Sequence, residues 1–186
     1  MAGKRDSVLI VNHLSLKSRI GDVWIASSQR GVFWVNLGPL DVEAVKTFYE
    51  KTPGIVFEKG GRRVEHAARE LLLYLEGKLT RFTVKLDLRS STSFSKKVWR
   101  ITSKIPYGQV RSYAWVAEKL GDPNAARAVG GALARNPVPI LIPCHRVLDS
   151  HGGLGGFGAG LPLKQWLLTL EAGQPSLGLD AEGASR

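Results

Sequence analysis

The chain has 186 residues, and 44% of them are hydrophobic, which is enough for one domain or two small ones with a packed core. No segment approaches the run of about 18 apolar residues that a membrane span requires. Residues 1–6 lack the apolar stretch of a secretory signal. We therefore expect a soluble intracellular protein with no membrane partner.

The charge of the chain is strongly basic, with 26 Lys and Arg against 16 Asp and Glu and a net charge of +10. Ten of these basic residues, but three of the acidic ones, fall between residues 89 and 150. A basic surface concentrated in one segment suits a polyanion such as nucleic acid. An ordinary solvated basic surface explains the same count equally well, so charge alone leaves both interpretations open.

Cys144 is the single cysteine, which excludes an intrachain disulfide. The four histidines, His13, His66, His145 and His151, are scattered, and none pairs with a second cysteine at the spacing of a zinc site. We therefore expect no metal.

The first 88 residues read as a small antiparallel sheet with helices. Short apolar runs at 8–11, 23–26 and 32–37 are typical of strands in a hairpin or meander. Asp41 is suited to cap a helix that runs to about Lys51.

A second helix and a further strand are predicted before residue 88. Apolar residues at helical spacing indicate one buried helix face: Val64, Ala67, Ala68, Leu71, Leu72 and Leu75. Gly77 ends this helix, and residues 81–88 alternate like a half-buried strand.

The polar run 89–95 marks the predicted boundary between an α/β domain at 1–88 and a mainly helical domain at 89–186. A helix is predicted around 94–105, a second from Ser112 to Leu120, and a third from near Asn124 to about Arg135. Two short helices joined by a turn that contains glycine are typical of a helix-turn-helix unit, although many helical pairs share the pattern.

The segment around Cys144 is constrained on both sides. Prolines and the apolar run 140–142 precede it, and the glycine-rich stretch 152–160 follows it. Pro162 opens a final helix that ends near Glu171, and the tail from about Gln174 is expected to be mobile. This context favours a cysteine held rigidly at the mouth of a cleft.

The adjacent Cys144 and His145 suggest a nucleophile and its base, because a thiol reacts as the thiolate and an imidazole can hold the proton. A buried structural cysteine beside a surface histidine is the alternative. Glu171 is either a solvated helix-end carboxylate or the group that orients His145. Spacing in the sequence does not decide between these interpretations.

Two further residues stand in the helix-turn-helix unit. Arg127 lies among small residues in the first turn of the second helix, where Gly130 and Gly131 each cost about 1 kcal/mol relative to Ala. Such glycines make sense where a backbone or DNA comes close, although Arg127 also fits a salt-bridged surface residue. Tyr113 opens the first helix and is otherwise an ordinary half-buried aromatic.

The segment 136–147, Asn-Pro-Val-Pro-Ile-Leu-Ile-Pro-Cys-His-Arg-Val, resembles the active-site signature of the O6-alkylguanine-DNA alkyltransferases, also called methylated-DNA–protein-cysteine methyltransferases. The resemblance extends over more than two fifths of the chain, through 105–108, 125–131, 164–168 and Glu171. Residues 1–88 resemble the family only in the apparent order of their elements, which implies a ribonuclease H-like domain.

The resemblance implies a role for each catalytic residue. Cys144 accepts the alkyl group, His145 deprotonates it through a water, and Glu171 polarises His145. Asn136 ties the recognition helix to the cysteine loop. Tyr113 helps to rotate the damaged nucleotide and hydrogen-bonds or protonates the guanine. No cofactor is implied.

The resemblance also implies how DNA is held. The helix-turn-helix lies in the minor groove, Arg127 fills the gap left by the flipped base, and Ser95 contacts a phosphate. Pro139, Phe157 and the Val147 carbonyl form the base pocket. Phe157 stands where many relatives have Tyr, so a hydrogen bond from that side chain is lost, which puts the tolerance for bulky alkyl groups in doubt.

The expected function is single-turnover repair of O6-alkylguanine, and of O4-alkylthymine, in double-stranded DNA. The expected protein is a monomer, with cooperative DNA binding left open, in the cytoplasm at the nucleoid or in the nucleus of a eukaryotic source. A cysteine hydrolase would not need Arg127, and a transcription regulator would not need Cys144. A non-catalytic lesion binder of the same fold is the nearest alternative.

Overall fold

A computed structural model describes residues 8–50 and 54–173 of the chain. The expected mobile tail from Gln174 and the segment 1–6 lie outside the described residues. Within the described ranges, no helix is both long and apolar enough to cross a membrane.

A four-stranded sheet forms the first part of the fold. Its strands are β1 (Leu9–Ser18), β2 (Gly21–Ser27), β3 (Val32–Leu37) and β4 (Ile55–Lys59), in the order β3-β2-β1-β4. The three predicted strands are confirmed, but β4 was not predicted. Because β4 pairs parallel to β1, the sheet is mixed and the expected antiparallel sheet is wrong. A parallel partner requires a crossover connection, which contains helix α1 (Val42–Glu50).

Two helices accompany the sheet. The predicted cap of α1 is confirmed, since the Ala44 N–H donates to Asp41 Oδ1 at 2.9 Å. Helix α2 (Arg62–Leu75) packs on β1, β2 and β3 through its apolar stripe. Leu72 was placed on that stripe but is 37% exposed, whereas Tyr74 is fully buried.

The segment 81–88 does not form the predicted strand. It makes one isolated bridge to β3, where the Val32 N–H donates to the Lys85 carbonyl at 2.8 Å. Its other end is held by a side chain, because the Thr83 N–H donates to Glu70 Oε2 at 2.8 Å. The alternation of the sequence therefore reports half-burial correctly. The pairing with β3 stops after Val32, because the next N–H on that edge, that of Val35, donates to the Pro137 carbonyl instead.

The second part of the fold is mainly helical. Its elements are α3 (Ser93–Thr102), β5 (Arg111–Ser112), α4 (Tyr113–Leu120), α5 (Ala126–Ala134), β6 (Val147–Leu148) and α6 (Leu161–Glu171). Ser112 caps α4 as predicted, by accepting the Trp115 N–H at 3.0 Å. Helix α5 begins two residues later than predicted, because Pro123–Ala125 forms a 3-10 turn capped by Asp122.

One buried apolar cluster joins the two parts of the chain. It includes Val35 of β3, Leu71 of α2 and Val129 of α5. The parts also share a backbone hydrogen bond, from the Val35 N–H to the Pro137 carbonyl at 2.8 Å. The sheet therefore packs directly on the segment that leads to Cys144, and the domain boundary at 88/89 stays a prediction.

Candidate active site

Cys144 begins a 3-10 turn, Cys144–Arg146, and is 7% exposed. The approach to this turn is strained, because Ile140 has a φ of 72°. A β-branched residue rarely adopts this left-handed region, so surrounding packing must hold it there. The Ile140 side chain is 1% exposed, and its burial supplies that packing.

Asn136 connects the end of α5 to the cysteine. Its Nδ2 donates to the Ile142 carbonyl at 3.0 Å and lies 3.1 Å from Cys144 Sγ. Its Oδ1 accepts the Val138 N–H at 3.0 Å. One side chain thus bonds Val138 and Ile142, at the two ends of the segment 138–142, and also contacts the thiol. Asn136 therefore joins the end of α5 to the loop that carries Cys144.

The thiol is protonated in the resting protein. Burial raises the pKa of Cys144, while the Asn136 hydrogen bond and the positive charge of Lys164 act in the opposite direction. A reaction at Cys144 therefore needs a base nearby.

His145 is fully buried, and its tautomer follows from its neighbours. Its Nε2 lies 3.0 Å from Glu171 Oε1 and 3.2 Å from the Tyr74 hydroxyl oxygen. The Tyr74 hydroxyl donates its single proton to Glu171 Oε1 at 2.5 Å, so both neighbours of Nε2 can only accept from it. Nε2 therefore carries the proton.

The other ring nitrogen of His145 is then the basic one. Burial lowers the pKa of His145 more than Glu171 raises it, so the ring is neutral. Nδ1 is buried and has no hydrogen-bond partner among the described residues. This arrangement leaves an unprotonated nitrogen on the residue next to the thiol.

Glu171 is the centre of a buried charge cluster. Arg146 binds it in a fork, with Nη2 2.7 Å from Oε1 and Nε 2.9 Å from Oε2, and the Gly108 N–H donates at 3.1 Å. Burial raises the pKa of Glu171, but its hydrogen bonds with His145 and Arg146 outweigh burial and lower the pKa to about 2. The carboxylate is therefore ionised.

Lys164 holds the glycine-rich loop from inside. It is fully buried, and its Nζ donates to the carbonyls of Val147 at 2.7 Å, Gly156 at 3.3 Å and Leu154. Burial lowers the pKa of Lys164 to about 8. The Val147 carbonyl expected to contact guanine thus already accepts one hydrogen bond from Lys164.

A cleft of about 190 Å³ opens onto Cys144. Pro139 and Phe157 line it, and their contact with a base stays a prediction. The Phe157 ring lies edge-on to His145, with centroids 6.5 Å apart. Residues of β3 line the other side of the cleft.

The DNA-binding candidates lie on the helical part. Arg127 is exposed in the first turn of α5. Tyr113 is half-buried, and burial raises its pKa. A Cβ on Gly155 would come within 2.6 Å of the Tyr113 hydroxyl, so the loop passes this tyrosine closely because it has no side chain there. Ser95 is 3% exposed and its hydroxyl accepts from Thr92, so a phosphate contact by Ser95 stays a prediction.

Three residues of the site were not identified from the sequence. Tyr74 occupies a buried position of a helix, which predicts only core packing. Arg146 and Lys164 belong to the segments that resemble the family, but the resemblance implies no role for either. Lysines are almost never fully buried, so the sequence alone predicts an exposed side chain at Lys164. The described residues contain no group of three or more His, Cys, Asp or Glu side chains able to hold a metal ion.

Comparison with known proteins gives consistent relationships. Residues 93–173 match the family model of the 6-O-methylguanine DNA methyltransferase DNA binding domain. A methylated-DNA–protein-cysteine methyltransferase from Mycolicibacterium paratuberculosis is 51% identical over 105 residues, which are 56% of this chain and 63% of that protein. Its counterpart from Methanosarcina acetivorans is 38% identical over 157 residues, which are 83% of this chain and 94% of that protein.

Among solved structures, OGT of Mycobacterium tuberculosis in complex with DNA superimposes with a TM-score of 0.75 at 34% identity, covering 87% of this chain and 93% of that one. The family model over 93–173, the sequence similarity over most of the chain and the similarity of the fold therefore all indicate one family. The chain belongs to the methylated-DNA–protein-cysteine methyltransferase family.

Proposed function

We propose that this protein repairs O6-alkylguanine, and O4-alkylthymine, in double-stranded DNA by transferring the alkyl group once and irreversibly to Cys144. The observation that carries this proposal is the buried thiol beside His145. Within residues 8–50 and 54–173 the His145 Nδ1 has no hydrogen-bond partner, while its Nε2 is bonded to an ionised carboxylate. DNA is the partner, in keeping with the family and with the DNA complex of the OGT relative.

The proton leaves the thiol first. His145 Nδ1 takes it through one water, and the imidazolium that forms is stabilised by Glu171. Arg146 keeps Glu171 ionised and in place, so the carboxylate acts as an orienting group and does not itself take the proton. Tyr74 bonds the same oxygen and restricts the carboxylate further.

The thiolate then attacks the alkyl carbon. A carbon–sulfur bond forms as the carbon–oxygen bond breaks, and the electron pair of that bond passes to O6 of guanine. Tyr113 hydrogen-bonds or protonates the departing base. The thioether product has no easy leaving group, so the protein is consumed after one transfer.

Access to the lesion requires base flipping, which costs a few kcal/mol of stacking and pairing. The helix-turn-helix of α4 and α5 lies in the minor groove, where small residues on α5 allow close approach. Arg127 projects from the exposed first turn of α5 and occupies the gap in the stack.

We also propose the larger organisation of the protein. Residues 1–88 and 89–186 form two domains of one monomer, which needs no cofactor. The protein acts where the DNA lies, at the nucleoid in the cytoplasm or in the nucleus of a eukaryotic source. The packing of β3 on the Pro137 carbonyl supports a fixed arrangement of the two parts.

The test is intact mass spectrometry after mixing the protein with a duplex that carries one O6-methylguanine. We expect a gain of one methylene that stops at one per chain. Repeated release of product with an unmodified thiol would indicate a hydrolase. Lesion-dependent binding without any mass gain would indicate a non-catalytic binder.

Arg127→Ala is expected to slow methyl transfer from duplex DNA by roughly 10- to 100-fold. Flipping the base out of the duplex costs a few kcal/mol, and the variant lacks the side chain that fills the gap and offsets part of this cost. Transfer from the free modified guanine base should be unchanged. Arg135→Ala, which removes another exposed arginine at the end of α5, is the matched control and should retain most of the duplex rate. Equal slowing on duplex and free base would remove the base-extrusion role.

The DNA association constant is expected to fall linearly with salt on a double-logarithmic plot, by about 0.9 in slope for each phosphate neutralised. Fluorescence anisotropy between roughly 50 and 200 mM salt measures this slope. The net charge of +10 and the basic span 89–150 are the physical reason. A flat response would contradict an electrostatic interface.

A further inference from the structure

The cleft at Cys144 is built from both parts of the chain. On the helical side it is lined by the end of α5, the cysteine turn and the loop around Phe157. On the sheet side it is lined by four consecutive residues of β3: Trp34, Val35, Asn36 and Leu37. None of these four was implicated in the reaction by the sequence.

Strand β3 is fixed relative to the cysteine turn. It is an edge strand of the sheet, and its outer edge is bonded where the Val35 N–H donates to the Pro137 carbonyl at 2.8 Å. Pro137 follows Asn136, whose side chain lies 3.1 Å from Cys144 Sγ. The same edge is anchored at its start by hydrogen bonds of Val32 with Lys85 and Asp87, both 2.8 Å. This strand is therefore a rigid wall of the cleft.

Alternation and burial along β3 together single out one side chain, because Val35 is 3% exposed whereas Leu37 is half-buried. Trp34 packs edge-on against Trp24, with centroids 5.0 Å apart, in the apolar cluster on the other face of the sheet. The Asn36 amide is occupied by a hydrogen bond of 3.0 Å to the Gly38 carbonyl. Leu37 shares the face of Val35 and packs, half-buried, against the core cluster that contains Cys144.

We infer that Leu37 sets the upper size of the alkyl group that Cys144 accepts. This inference rests on the proposed function. The cleft of about 190 Å³ is smaller than the roughly 300–1,000 Å³ typical of drug-sized ligand pockets. A benzyl group carries a phenyl ring that a methyl group lacks, so it needs more room in the cleft beside Cys144. Leu37 is the side chain that borders this room on the sheet side. The helical wall offers less freedom, because Lys164 clamps the loop that carries Phe157.

The test compares transfer rates from O6-methylguanine and O6-benzylguanine in the same duplex, followed by intact mass. Leu37→Ala is expected to raise the benzyl-to-methyl rate ratio roughly tenfold, and Leu37→Trp to lower it by a similar factor, as is usual for a few methylenes in an apolar pocket. Because both rates are measured on the same variant, a general effect of the substitution on Cys144 cancels in the ratio.

The control is Leu14→Ala, which truncates a half-buried leucine on β1 that packs on the same core but does not line the cleft. It should leave the rate ratio unchanged. Leu37→Val removes a single methylene and replaces Leu37→Ala if that variant does not fold. An unchanged ratio in folded Leu37 variants that still transfer methyl groups would overturn the inference. Failure of the proposed function would instead appear as no methyl transfer by the unaltered protein.

Discussion

Cys144→Ala is expected to abolish alkyl transfer entirely, while lesion-dependent DNA binding persists. The thiol is the single sulfur nucleophile of the chain, and no other group in the cleft can form a stable thioether. The intact mass of the variant should stay constant during prolonged incubation with O6-methylguanine duplex. Anisotropy with the same duplex measures the binding that remains.

Cys144→Ser is the matched control for shape. Its hydroxyl keeps a group that can accept from Asn136, so the turn should stay intact, but an alcohol is far harder to deprotonate than a thiol. We expect no measurable transfer from this variant either. Loss of DNA binding in both variants would mean that the turn had collapsed, and transfer by either variant would exclude Cys144 as the acceptor.

Glu171→Ala is expected to lower the free energy of unfolding by about 3–5 kcal/mol and to slow alkyl transfer by orders of magnitude. Both effects have one cause. Arg146 is a buried cation that depends on this carboxylate, and removing it leaves the guanidinium without an anion. The imidazolium that forms at His145 during the reaction needs the same negative charge. Urea unfolding and single-turnover transfer measure the two effects separately.

The double variant Glu171→Gln with Arg146→Met separates stability from chemistry. Replacing both partners of a buried ion pair by neutral groups often recovers stability. It does not restore a negative charge beside His145, so the transfer rate should stay low. A double variant that regains both properties would show that the carboxylate serves folding alone.

Acid should destabilise the protein through the same carboxylate. The pKa of Glu171 is lowered from its usual 4.5 to about 2 in the folded protein. Its contribution to stability is therefore complete above about pH 4.5 and is lost as the pH falls through about 2. In Glu171→Gln this part of the acid dependence should be missing.

The sequence predicted what is encoded locally. Strand β3, the caps of α1 and α4 and the helix-turn-helix depend on spacing and on residues a few positions apart. The signature around Cys144 likewise indicates residues that lie together in the structure, since Asn136 contacts the thiol and His145 follows it, while their roles stay predictions. Parallel β4 was missed because its pairing with β1 depends on a crossover, which periodicity does not record.

The rest of the site depends on contacts between distant parts of the chain. Tyr74 and His145 are 71 residues apart in sequence, and Tyr74 and Glu171 are 97 apart. A tyrosine at a buried helical position predicts core packing, and nothing local indicates that its hydroxyl meets a charged cluster. The strand predicted at 81–88 is wrong for a related reason, since Glu70 accepts the Thr83 N–H and the Pro137 carbonyl accepts the next free N–H of β3, that of Val35.

The position of Tyr74 also indicates how much of the chain is needed to form the complete site around Cys144. A fragment that starts at residue 89 keeps Cys144, His145 and Glu171, and therefore the complete signature of the family. It would lack the hydroxyl that fixes the proton on Nε2 and the strand that closes the cleft. The surroundings of the thiol are therefore built in part by the first half of the chain, and we expect mutations there to alter the transfer rate without changing the signature.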